Sequence, residues 1–127
     1  LVTPNGIKIE VKSSAYLQNW KQSKQSKIIF SIAPSRKYDY NSGQYAVESA
    51  RASDVYVFAV FECQDIKTAK LSALEQWGFY IAQASMINRV FGNQKTVCLQ
   101  RILRTGINRT EFSGIEAEVN RLSQSHP

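Results

Sequence analysis

Histidine is nearly missing from this 127-residue chain: His126 stands alone, second from the C-terminus. Histidine-based triads and histidine-rich metal sites are therefore not expected. Cysteine is scarce as well. Cys63 and Cys98 are too few and too far apart for a zinc knuckle or a CxxC motif. Both lie in apolar runs, which predicts reduced core residues and a reducing cytoplasm rather than secretion. Six glycines and three prolines do not make a low-complexity or disordered chain. No apolar run reaches the ~18 residues that span a bilayer, and no signal peptide is visible, so no membrane is expected among the partners. Acid is in short supply: sixteen Lys and Arg against ten Asp and Glu leave +6, which favours a polyanionic partner. What the chain does have is 43% hydrophobic and 11% aromatic residues, enough for the core of one domain over 1–127. It begins at Leu1 without Met, and a fragment lacking its N-terminal part is the expectation.

Alternation marks the first element. Ile7, Ile9 and Val11 point one way and Lys8, Glu10 and Lys12 the other, the period of a half-buried strand with Val11 anchored in the core. Thr3-Pro4-Asn5-Gly6 before it suits a type I turn closed by a left-handed glycine, a three-residue hairpin loop with a bulge. Lys27–Ala33 reads as a strand, 35–43 as a tyrosine-rich loop, and 44–53 as a short helix with Ala46, Val47 and Ala50 inside. Asp54–Phe61 is the most apolar stretch and predicts a buried central strand. Then come a polar connection over 64–76, a strand over 77–82, and a helix over 84–91 stopped by Gly92. A strand over 96–99 and helical segments over 100–104 and 114–122 finish the chain. The fold class expected is α/β, a mixed central β-sheet flanked by helices.

Chemistry concentrates in Glu10-Val11-Lys12. Strand alternation projects Glu10 and Lys12 from one face. Glu10, with the Val11 carbonyl oxygen beside it, supplies oxygen ligands suited to a hard ion such as Mg²⁺. Lys12 is suited to orienting a water or stabilising charge on a phosphorane-like transition state. One carboxylate holds such an ion poorly. In the register set by the turn, Thr3 pairs with Ile7, Val2 with Lys8 and Leu1 with Ile9, so the residue before Leu1 would face Glu10. A second triplet, Asp65-Ile66-Lys67, has neither alternation nor hairpin around it. The plain alternative for the first is the charged outer face of an edge strand.

The segment LVTPNGIKIEVKSSAYLQNW, Leu1 to Trp20, resembles the core of the PD-(D/E)xK restriction-endonuclease-like superfamily. Its Glu-Val-Lys followed by Ser is similar to resolvases and type II restriction enzymes of that group. IKIEVKSSAYLQ, DVYVFAV and QWGFYIA also resemble a family of small bacterial proteins assigned to it. The resemblance implies a restriction-endonuclease-like core and an endonuclease that hydrolyses DNA phosphodiester bonds by metal-activated water. It implies Mg²⁺ or Mn²⁺ as cofactor, Glu10 as metal ligand and Lys12 as catalytic lysine. The family's pattern also has an Asp on the strand before the hairpin and a helix ahead of it. Neither falls within these residues, so the fragment itself is expected to be inactive.

Further along the strand face, Ser14, Tyr16 and Gln18 follow Lys12. Ser14 and Gln18 are candidates for positioning a phosphate or a water, while Tyr16 fits strand-edge hydrogen bonding better. Lys21, Lys24, Lys27, Arg36 and Lys37 form an acid-free basic stretch, with Trp20 and Tyr38 nearby, that suits a nucleic-acid backbone. A solvated, lysine-protected edge explains it equally well. Asp54 is a candidate for a further metal-shell acid, but Arg51 and Asp54 read better as a structural pair at a helix-to-strand junction, with Glu48 pairing to Arg51 along the helix. The competing function is a non-catalytic DNA-binding or assembly module that retains the nuclease fold. DNA is the expected partner, and a homodimer stays open.

Overall fold

The structure, a computed structural model, describes residues 1–17 and 27–124, without the side chains of 35–38 and 46–49. In chain order the strands are β1 (Ile9–Ala15), β2 (Ile29–Ser31), β3 (Ser35–Asp39), β4 (Gln44–Ala50), β5 (Val55–Phe61), β6 (Trp77–Gln83) and β7 (Thr96–Cys98). The helices are α1 (Ala84–Phe91), α2 (Leu99–Arg104) and α3 (Ile115–Gln124). The fold is mixed α/β. A three-stranded sheet runs β1-β5-β6, with β1 parallel and β6 antiparallel to β5. β2 pairs with β7 and β3 with β4, both antiparallel. Among the described residues no helix is long and apolar enough to cross a membrane.

β5 takes the centre because all seven of its side chains are buried, Val60 and Phe58 at 0% and 1% exposure. Each of its valines and phenylalanines contributes roughly 1.5–3 kcal/mol of transfer free energy. Its even residues Tyr56, Phe58 and Val60 join Phe30, Ile32, Tyr80, Ile87 and Phe91 on one face. Its odd residues Val55, Val57 and Ala59 join Phe79, Ile81 and Val119 on the other. α1 turns Ala84, Ile87 and Phe91 inward at helical spacing, and Gly92 ends it at φ 56°. Ile115, Val119 and Leu122 of α3 cover the second face. The 27–33 run alternates exposed and buried without a break, with Ile28, Phe30 and Ile32 inward.

The N-terminal turn forms as its residues dictate. Gly6 sits at φ +84°, its N–H bonds the Thr3 carbonyl at 2.9 Å, and Val2 bridges Lys8. Three expectations are corrected. Residues 35–50 are neither loop nor helix but the β3–β4 hairpin, Tyr38 opposite Tyr45. Asp39 builds its turn: its Oδ1 accepts the Asn41 N–H and its carbonyl accepts that of Gly43, which stands at φ +72°. The Ala46, Val47, Ala50 spacing fits a helix locally, but pairing to 35–39 across this turn decides the state. Val11 is not in the core. It is 54% exposed on the edge strand, beyond the cluster that Ile7 and Ile9 join. Cys63 and Cys98 are free but only half-buried, where core residues were expected.

Candidate active site

β1 presents Glu10, Lys12 and Ser14 on the face of Tyr56, Phe58 and Val60, their register partners on β5. Lys12 Nζ lies 2.8 Å from Glu10 Oε1, with side-chain exposures of 30% and 39%. Ser53 Oγ donates to Glu10 Oε2 at 3.0 Å. The Lys12 ammonium holds the Glu10 carboxyl below its usual range against the opposing effect of burial, with Ser53 adding to the lowering. Glu10 is therefore ionised at neutral pH. Burial, and then the Glu10 charge, push the Tyr56 phenol up.

Main-chain directions add an acceptor. The Ile9 N–H bonds the Leu1 carbonyl at 2.7 Å, away from β5, while the Lys8 carbonyl accepts Val55 N–H from the other side. Alternation aims the Val11 N–H and C=O the way Ile9 points, away from β5 and beside Glu10. The bridge of Val2 to Lys8 follows the register expected from the turn, in which the position before Leu1 faces Glu10.

Asp54 is a brace. Its Oδ2 accepts the Lys8 N–H at 2.9 Å, its N–H bonds the Lys8 carbonyl at 2.8 Å, and its carbonyl accepts Ala84 N–H at 2.9 Å. These bonds start β1, β5 and α1 from one point. Arg51 follows β4 rather than a helix; the Glu48 side chain, expected to pair with it along a helix, lies outside the described residues. The Arg51 guanidinium donates to the carbonyls of Ile32, Gly92 and Gln94 and to Asn88 Oδ1 at 2.6–3.0 Å, satisfying the C-terminal end of α1. Asp65 caps its own turn by accepting Lys67 N–H at 2.9 Å, so the second triplet is not on a strand.

Of the other predicted site residues, Ser14 is half-buried on the Glu10 face, and Tyr16 packs against the first core. Lys27 is exposed at the start of the run that becomes β2, which lies against β1. Arg36 and Lys37 are on β3, where only the backbone is described. Gln18, Trp20, Lys21 and Lys24 lie outside the described residues.

Two partners escaped the sequence. Ser53 is 43 positions from Glu10, and only parallel pairing of β1 with β5 brings it there. Arg109 forms a fork with Glu62, Nη2 to Oε1 at 2.7 Å and Nε to Oε2 at 2.8 Å, and reaches the Trp77 carbonyl at 3.2 Å. Glu62 holds the Arg109 pKa above its usual value. No short-range signal links residues 47 apart. Compared with models of protein families, with curated proteins and with solved structures, the chain matches none.

Proposed function

We propose that the domain is the core of a Mg²⁺-dependent endonuclease of the PD-(D/E)xK kind, acting on DNA phosphodiester bonds at Glu10 and Lys12. The observation that carries this reading is the ionised Glu10 with Lys12 at 2.8 Å on one half-exposed strand face. Glu10 fits a hard divalent ion in charge and atom type, and the Val11 carbonyl is aimed to join it. The donor set is short by a carboxylate: among the described residues no group of three acids, cysteines or histidines comes together. In the Val2–Lys8 register a residue before Leu1 would face Glu10, and an Asp there would supply the second carboxylate.

Within the chain, the division of labour is simple. Ser53 fixes one oxygen of Glu10 and leaves the other to Lys12, a compact ammonium on a flexible stem. Swinging off Glu10, Lys12 would donate to the attacking water or to a non-bridging phosphate oxygen, where negative charge builds. A divalent ion bound by Glu10 would supply Lewis-acid activation of that water. The charge of +6 and exposed Lys27 support a phosphate-backbone partner. The single acid favours the second reading, a DNA-binding module without cleavage.

The test is plasmid nicking in Mg²⁺ by the chain carrying an Asp placed before Leu1, with and without Lys12→Ala. The expected result is Mg²⁺-dependent nicking that Lys12→Ala lowers by roughly 10²–10³-fold while DNA affinity changes little. Equal nicking by both chains removes Lys12 from the mechanism. Salt-sensitive DNA binding with no nicking by either selects the binding module.

A further inference from the structure

We propose that the outer edge of β6 at Ile81 is a docking site for an extended acidic peptide of a partner protein, added as a further strand. This edge is already used once. Phe79 exchanges both main-chain bonds with Thr110, N–H to O at 2.9 Å and O to N–H at 2.7 Å. Strand alternation turns the N–H and C=O of Ile81, two residues on, to the same side. The chain joins the edge only at Thr110, four residues after Gly106 at φ +91°, and no described residue outside the sheet bonds the Ile81 main chain.

The gap is a cavity of about 470 Å³ between β6, the 105–110 segment, α1 and α3. That is within the ~300–1,000 Å³ of clefts that hold ligands. A strand laid in it would take two bonds from Ile81 and send successive side chains to opposite walls. Charge selects the ligand. Arg121 is engaged by Glu118, whereas exposed Arg89 has no acidic partner among the described residues. Leu122 and Met86 supply apolar surface nearby. An alternating acidic and apolar peptide complements these walls; a nucleic acid would meet Arg89 but has no amide to exchange with Ile81.

The probe is a blocked Val-Glu-Val-Glu-Val peptide, followed by amide NMR and hydrogen exchange on the chain as it stands. In the free chain the Ile81 amide is expected to exchange at least ~100-fold faster than that of Phe79. Peptide should slow it about tenfold or more, and Arg89→Glu or a Val-Lys-Val-Lys-Val peptide should weaken binding about tenfold or more. Ile81 protected like Phe79 without peptide would mean that the 105–109 segment closes its own edge, and overturns the proposal. So would equal binding of the Glu and Lys peptides, or an oligothymidylate that shifts the same amides.

Discussion

Two ion pairs stand on the same face of the β1-β5-β6 sheet and differ in one instructive way. Glu10–Lys12 and Glu62–Arg109 have nearly the same exposure, 39% and 30% against 31% and 38%, so burial does not separate them. Geometry does. Glu62 and Arg109 meet fork to fork and are braced by the Trp77 carbonyl and by Glu111 at 3.7 Å. They lie across Gly78, where a Cβ would come within 2.3 Å of Glu62 Oε2 and 2.7 Å of Arg109 Nε. That pair is a clasp joining the ends of β5 and β6 to the segment before α3. Glu10 and Lys12 are two positions apart on one strand, so their contact joins nothing that the strand has not already joined. Across the fold Glu10 is held through Ser53 and not through Lys12, so the Lys12 contact can open to a ligand at little cost in stability. Each carboxylate also helps to raise the pKa of a buried tyrosine on this face, Glu10 that of Tyr56 and Glu62 that of Tyr80, so charge alone does not mark the site.

Breaking the clasp should have the largest effect on stability. Gly78→Ala meets the flexible ends of Glu62 and Arg109, which must shift out of the fork, and is expected to cost about 1 kcal/mol in denaturant unfolding. The same change in an Arg109→Ala background should cost less than half as much, because the fork is already gone. Equal costs in both backgrounds would show that Gly78 serves something other than the pair. Arg109→Lys, which keeps charge but loses the fork, should cost about 1 kcal/mol, held to that level by solvent screening. Lys12→Met should cost less than about 0.5 kcal/mol in the same assay. A Lys12→Met cost equal to that of Arg109→Lys would make both pairs structural and remove the contrast.

The smallest effect sharpens the comparison through pH. Glu10 has a lowered folded-state pKa, so its contribution to stability is present above the ordinary value of 4.5 and is lost as pH falls through the lowered one. Lys12→Met should raise the Glu10 midpoint in a carboxyl NMR titration and flatten that part of the acid limb. An unchanged midpoint would mean that Lys12 does not hold Glu10 in solution.

Much of the frame was legible in the chain because the signals are local. The apolar run at 55–61, the helix over 84–91 with Gly92 after it, and the Pro4-Asn5-Gly6 turn depend on side chains adjacent in sequence. The turn even set the register of Val2 with Lys8. The failures are non-local. Residues 44–50 have an acceptable helical face, and only pairing with 35–39 makes them a strand. Val11 has the alternation of a core residue but lies on an edge strand that its cluster does not reach.

The candidate site divides the same way. That Glu10 and Lys12 share a face follows from the period of two along one strand, and the sequence by itself determined it. That Ser53 holds the second oxygen of Glu10, that Arg51 closes the end of α1, and that Arg109 finds Glu62 across Gly78 were decided by tertiary structure. Those contacts join residues about forty or more positions apart, and what brings them together is the packing of β5 between β1 and β6 rather than any preference of the residues themselves.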